Sequence, residues 1–234
     1  MQIMRIDDLL YQSVLNMAKA QISDRKPVTQ GRGRPRLNPA ERQQILDATA
    51  QVFLEKGYGR ANTSEIARRA RTSKQTLYSL FPTKADLFVG VISMHADRLF
   101  SRHIEFIESE ASPEVTLNEM GYAMLVMFSA PRFLALYRIV VAEAHNFPDL
   151  AKRLWRSCME RGYSQLAEYL RSRRIGGPLY RKSASQFFSF VLGDFIVNAM
   201  LNPDLKLSDR VLRLRVREAV RDFLRLHPES EPAR

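Results

Sequence analysis

The 234 residues are enough for one large or two small domains with a proper core. An apolar share of 45% against 26% charged residues excludes a disordered or low-complexity chain. The net charge of +11 is uneven: residues 31–84 hold eleven bases against four acids, a surplus of seven, which implies a polyanionic partner, either nucleic acid or an anionic membrane surface.

Residues 1–30 carry a weak amphipathic pattern (Ile6, Leu9, Leu10, Val14, Met17), read as a loosely attached helix or as sequence ahead of a start at Met4 or Met17. Residues 24–38, DRKPVTQGRGRPRLN, read as a flexible basic linker. Within them Arg32-Gly33-Arg34-Pro35 resembles the core of an AT-hook. A narrow A·T minor groove deepens the negative potential and attracts inserted arginine. A solvated tether is the competing reading of the same four residues.

Beyond the linker, glycine and proline divide the chain into helical blocks, and no segment alternates like a strand. The expected class is all-α, with about nine helices. The first, about 39–56, opens on Asn38-Pro39-Ala40-Glu41 and buries Ile45, Ala48, Val52 and Phe53 before Gly57. The second, about 64–70, opens on Asn62-Thr63-Ser64-Glu65 and buries Ile66, Ala67 and Ala70. Thr72 or Ser73 caps the third, in the stretch SKQTLYSLFPTK. There Leu77 and Phe81 face a core while Lys74, Gln75, Thr76, Tyr78 and Ser79 have no apolar partner. Three short helices on one small core, the last two joined by a tight turn, form a helix-turn-helix unit. Its exposed polar helix offers donors and acceptors to base edges in the major groove.

Residues 39–99 resemble the DNA-binding domain of TetR-family transcriptional regulators. The residues that carry the likeness are Ile45-Leu46-x-Ala48, Phe53, Gly57-Tyr58, Thr63-Ser64, Ile66-Ala67, Ala70, Ser73-Lys74, Thr76-Leu77-Tyr78, Phe81, Lys84 and Leu87-Phe88. One departure stands out: the family usually has glycine at the first turn position, and this chain has Arg71. A non-glycine residue held left-handed there costs roughly 1–2 kcal/mol. The tract RIVVAEAHNFPDL, 138–150, resembles the AefR-like subgroup. The resemblance implies a basic extension at 1–38, the helix-turn-helix domain at 39–99, and a helical effector-binding and dimerisation domain at 100–234. It also implies double-stranded DNA with a pseudo-palindromic operator as partner.

On that footing Tyr78 and Lys84 are phosphate contacts, Lys84 at a helix start where free N–H groups already favour an anion. Lys74, Gln75 and Thr76 read base edges, Thr63 and Ser64 position the backbone, and Arg32 and Arg34 enter the minor groove. Arg68, Arg69 and Arg71 reach DNA or form a solvated basic face.

Six further helices are expected at about 84–109, 113–129, 131–145, 147–174, 180–201 and 207–226. Met94, Met124, Phe128, Tyr137, Trp155 and Met159 could line a cavity between 84–109 and 147–174 for a small apolar or amphipathic effector, or be plain core. The helix at 180–201 is apolar nearly all round, and 207–226 has a seam of Leu212, Val216, Ala219, Phe223 and Leu226. The resemblance makes these two helices the interface of a homodimer, through Phe187, Phe190, Val191, Val197, Leu201, Leu212, Val216 and Phe223. A second stripe, Arg213, Arg217, Arg221 and Arg225, has no account beyond solvation or pairing with unplaced acids.

The longest apolar tract, 187–201, is too short to span a bilayer and carries Asp194 and Asn198, so no membrane partner is expected. No signal peptide opens the chain and Cys158 has no disulfide partner, so the chain reads as cytoplasmic. No set of His, Cys and acids has zinc spacing, and nucleophile-elbow, phosphate-loop and dinucleotide motifs are absent; neither metal nor cofactor is expected. The expected function is a DNA-binding transcriptional regulator, a repressor released by a small molecule. An enzyme and an architectural DNA binder without sequence preference are the alternatives.

Overall fold

The computed structural model describes residues 38–94, 97, 111–202 and 204–229. The chain divides into two units, Met1–Asn38 and Pro39–Arg234, and the elements below belong to the second. All of the regular elements among the described residues are helical.

Helix α1, Pro39–Arg60, turns Ile45, Leu46, Ala48, Val52 and Phe53 into the core and breaks at Gly57. There φ is 72° and ψ 176°, a backbone region essentially reserved for glycine. The break swings Tyr58 inward, where it stacks on Phe53 at 5.6 Å and meets Phe88 edge-on at 5.7 Å. Helices α2, Thr63–Arg69, and α3, Lys74–Leu80, follow. Their caps are the expected ones: Asn62 Oδ1 accepts from Ser64 N–H at 2.8 Å, and Ser73 Oγ from Thr76 N–H at 2.9 Å. Between them Arg71 stands at φ 51°, the left-handed conformation expected where the family has glycine. Helix α4, 84–94 in the described residues, starts with a capping box in which Thr83 and Asp86 exchange side-chain and backbone bonds. Ile66, Leu77, Leu87 and Phe88 fill the shared core without exposure to solvent.

Helices α5, Pro113–Ser129, α6, Pro131–Glu143, and α7, Pro148–Leu154, each open on proline, where a missing N–H costs nothing. Helix α7 runs through a π-helical turn, Trp155–Glu160, into α8, Arg161–Ser172. Helices α9, Tyr180–Leu201, and α10, Asp209–Leu226, pack on each other and on α5, and α6 packs on α1.

Helix α9 keeps its expected bounds and departs from its expected form at one point. The apolar tract of 187–201 belongs to a helix of 22 residues, long and apolar enough to cross a bilayer by length and composition. Yet it is interrupted at Gly193 (φ 32°, ψ −128°). Arg215 of α10 fills the interruption: Nε donates to the Val191 carbonyl at 3.0 Å, and one Nη reaches Leu192 O at 3.4 Å and Asp194 Oδ1 at 2.6 Å. Phe187, Phe188, Val191, Leu192, Phe195 and Ala199 turn into the chain's own core.

This burial corrects the sequence-based assignment of the association face. Phe187, Val191, Leu212, Val216 and Phe223 are at most 5% exposed and belong to the core of one subunit. Phe190, Val197 and Leu201 remain on the surface, and Val211 and Leu214 join them as exposed apolar residues. Four of the five seam residues mark the inward side of α10, and the fifth, Leu226, is exposed. The arginine stripe divides as well. Arg213 pairs with Asp209 at 3.1 Å and Glu119 at 3.4 Å and lies 3.9 Å from the Tyr122 ring centroid. Arg221 pairs with its neighbour Asp222.

Candidate nucleic-acid interface and cavity

Helix α3 owes its position to Leu77, which is fully buried, and to Phe81 at its C-terminal cap. Rotation about that anchor leaves Lys74, Gln75, Tyr78 and Ser79 exposed. The Thr76 hydroxyl bonds to Ser73 Oγ at 2.9 Å, so its methyl is the part without a polar partner. Thr63 and Tyr78, on different helices, are brought together: their hydroxyls are 2.8 Å apart, with the tyrosine 44% exposed. Two hydroxyls and the start of α2 thus share one edge, beside Ser64, which is only half-buried. Arg32 and Arg34 lie outside the described residues.

Of the three arginines around the turn, Arg69 is committed within the protein. Its guanidinium bonds to both Glu55 oxygens, at 2.7 and 2.6 Å, and to Glu65 at 2.7 Å, while Lys56 also binds Glu65. These cations hold the Glu55 and Glu65 carboxyls below the usual range, and the two carboxylates raise the Arg69 pKa further. The cluster ties α1 to α2 and so fixes the tilt of the helix-turn-helix unit. Arg68 and Arg71 are exposed.

Lys84 corrects the expectation most clearly. Its ammonium turns inward to the carbonyls of Tyr58, Gly59 and Ala61 at 2.8, 3.0 and 3.4 Å. It also lies 4.6 Å from the Tyr58 ring centroid and 5.9 Å from that of Phe147. Burial pushes its pKa down, with Glu143 opposing. A cation at the carbonyl end of a broken helix is favoured by the dipole and by the unpaired oxygens. The group assigned to phosphate therefore clamps the end of α1 in this structure; the backbone N–H groups at the start of α4 are a separate feature.

A cavity of about 260 Å³ lies where α4, α5, α6, the π turn and α9 meet. Five of the six residues expected there line it: Met124, Phe128, Tyr137, Trp155 and Met159, joined by Ile92, Phe133, Cys158 and Phe188 among others. Met94 is buried but does not line it, because two helical positions turn it about 200° from Ile92. Phe128, Phe133 and Tyr137 form an aromatic corner, with Phe128 edge-on to both partners at 5.2 and 5.5 Å. Among the described residues, no lining side chain carries a charge. Burial raises the Cys158 thiol and the Tyr137 phenol, which keeps both neutral. The wall at 155–160 is π-helical, a form that recurs at functional sites, and no residue type in WRSCME announces it.

The chain matches two family models: the tetR family of bacterial regulatory proteins over residues 45–91, and the AefR-like transcriptional repressor C-terminal domain over residues 115–227. It is 30% identical over 141 residues to the nucleoid occlusion factor SlmA of Aliivibrio fischeri, covering 58% of this chain and 70% of that protein. It is 39% identical over 79 residues to the transcriptional activator FasR of Mycolicibacterium smegmatis, covering 33% of this chain and only 36% of that relative. Among solved structures, a TetR-family transcriptional regulator from Mesorhizobium loti superposes with a TM-score of 0.67 at 25% identity, covering 80% of this chain and 96% of that one. The flavonoid-responsive regulator FrrA gives 0.65 at 26% identity, over 82% and 100%. Family models over both halves, on a fold with a helix-turn-helix unit and a helical second half, place this chain in the TetR family of DNA-binding transcriptional regulators, not among enzymes.

Proposed function

We propose that the chain is a repressor that binds a pseudo-palindromic operator as a homodimer and leaves it when a small apolar or amphipathic effector enters the cavity. One observation carries the reading: the cavity shares its walls with elements that hold the DNA-binding unit. Helix α4 supplies Ile92 to the cavity, and its first turn is fastened to α1 by Lys84 and to α7 by the 2.8 Å Asp86–Arg153 pair. Helix α6 lines the cavity and packs on α1, where Arg132 reaches the Asp47 carbonyl at 3.3 Å.

In this reading residues 1–38 form a basic arm, 39–99 the DNA-binding domain and 100–234 the effector-binding and dimerisation domain, in a cytoplasmic protein. Thr63, Ser64 and Tyr78 hold phosphates, Lys74, Gln75 and the Thr76 methyl meet base edges, and Arg32 and Arg34 follow the minor groove. Phe190, Val197 and Leu201 meet their copies across the two-fold axis. A neutral, largely apolar lining supports an effector that is itself mostly apolar, in keeping with the flavonoid response named for one structural neighbour. The half that would sense the effector matches the AefR-like transcriptional repressor C-terminal domain, which supports the repressor reading.

The test is selection of bound duplexes from a random pool, followed by binding of the recovered sequence with and without a flavonoid and a long-chain carboxylate. Preference for the selected over a scrambled duplex, lost on adding either compound, supports the proposal. Equal affinity for both duplexes would indicate an architectural binder.

A further inference from the structure

Ala151 and Trp155 border the cavity and also a shallow surface groove, whose remaining walls are Lys152, Arg156 and Glu160. The two sides of one helical stretch are thereby sorted by charge. Leu154, Trp155, Cys158 and Met159 look into the cavity; Lys152, Arg156 and Glu160, spaced by four, lie along the groove. Trp155 is 51% exposed and meets Tyr163 edge-on at 6.2 Å, and Tyr163 in turn meets Phe188 of the cavity wall at 4.8 Å. An indole half in solvent, braced at one edge by Tyr163, forms the boundary between the two spaces.

Lys152 and Arg156 are exposed, and neither has an ion-pair partner among the described residues. Glu160, the one acid of the groove, lies 4.0 Å from Arg181. Two cations without ion-pair partners among the described residues therefore stand at the edge of a cavity whose described lining holds no charge. An apolar ligand lacking a head group would use the cavity and leave the cations idle, while a polar ion would find nothing in the cavity to hold its charge.

We propose that the ligand is an amphipathic anion, a long-chain carboxylate, whose tail fills the cavity past a displaced Trp155 and whose head group pairs with Lys152 and Arg156. The proposal rests on the cavity being the effector site and adds the chemical class and the residues that select it. Two exposed charge pairs correspond to roughly ten-fold in affinity between anion and neutral analogue.

Trp155 is the chain's only tryptophan, so the fluorescence of the full-length protein reports on the mouth directly. Dodecanoate and dodecan-1-ol are titrated separately, below their aggregation limits, into the unaltered protein and into Lys152→Ala/Arg156→Ala. The expected result is that dodecanoate binds about ten-fold more tightly than the alcohol to the unaltered protein, that the double variant removes this advantage, and that added salt weakens only dodecanoate. Equal binding of acid and alcohol, or an advantage for the acid that survives the double variant, overturns the head-group assignment. Absence of any Trp155 response to either compound overturns the ligand class, while release of DNA by a flavonoid would still leave the effector-controlled repressor standing.

Discussion

Arg71 occupies a left-handed position, φ 51°, that glycine fills without steric cost. The side chain near the Cβ pays for this conformation in every folded molecule, so Arg71→Gly is expected to raise the unfolding free energy by about 1 kcal/mol, offset in part by the extra entropy glycine brings to the unfolded chain. Chemical denaturation of the two proteins measures it, and no gain would mean that the arginine side chain makes a compensating contact. Lys84 shows the reverse relation between residue and expectation. Its position in the motif suggested a phosphate, but its ammonium bonds to three carbonyls around the end of α1. Lys84→Ala is therefore expected to lower stability by about 1–3 kcal/mol, the range for hydrogen bonds to a charged group, and to leave the salt dependence of DNA binding unchanged. A slope of log K against log salt that falls by about 0.9 per subunit would put the ammonium on a phosphate instead. Tyr78→Phe removes the hydroxyl that meets Thr63 and is expected to weaken binding to all duplexes alike.

At the level of elements, most helices were legible because they carry their own punctuation. Asn62, Ser73, Ser112 and Ser208 accept from backbone N–H groups one turn inside their helices, and prolines open α5, α6 and α7. These are local signals, readable without knowing what lies across the core. What stayed hidden depends on partners distant in sequence. The interruption of α9 at Gly193 is stabilised by Arg215, more than twenty residues away, which supplies donors to carbonyls the break leaves open. Arg215 looks like any other polar residue of a helix until the neighbouring helix is in place. The cavity was legible in five of its six proposed residues because large apolar side chains clustered on the right faces, whereas the π turn that shapes its wall has no residue code. Arg215→Ala is expected to cost about 1–2 kcal/mol by leaving the Val191 and Leu192 carbonyls without their donors. Thermal unfolding checks it; an unchanged midpoint would show that water replaces the guanidinium at no cost.

For the whole molecule, the proposed association and effector control use different faces of the same helices. Val197 is 57% exposed on α9 whereas Val191 is fully buried. Val197→Glu is accordingly expected to give a folded monomer by light scattering, and Val191→Glu a poorly folded chain, since an unpaired charge would enter the core. A dimeric Val197→Glu protein would move the interface elsewhere. The proposed coupling between effector and DNA has a short route. Asp86 closes the capping box of α4 and pairs with Arg153 at 2.8 Å, and Arg153 lies within the stretch of α7 and π turn that walls the cavity. A ligand that shifts this wall pulls on the first turn of α4, beside the helix-turn-helix core. The coupling must be reciprocal: operator weakens effector binding by the factor by which effector weakens operator binding, typically about 1–3 kcal/mol. Arg153→Ala cuts the link outside both sites, so it is expected to leave each affinity measured alone unchanged and to shrink the coupling factor between them. The measurement is a thermodynamic cycle with the selected duplex and whichever of dodecanoate or a flavonoid binds the cavity. A coupling factor as large in Arg153→Ala as in the unaltered protein would assign the transmission to α6 and its contact with α1.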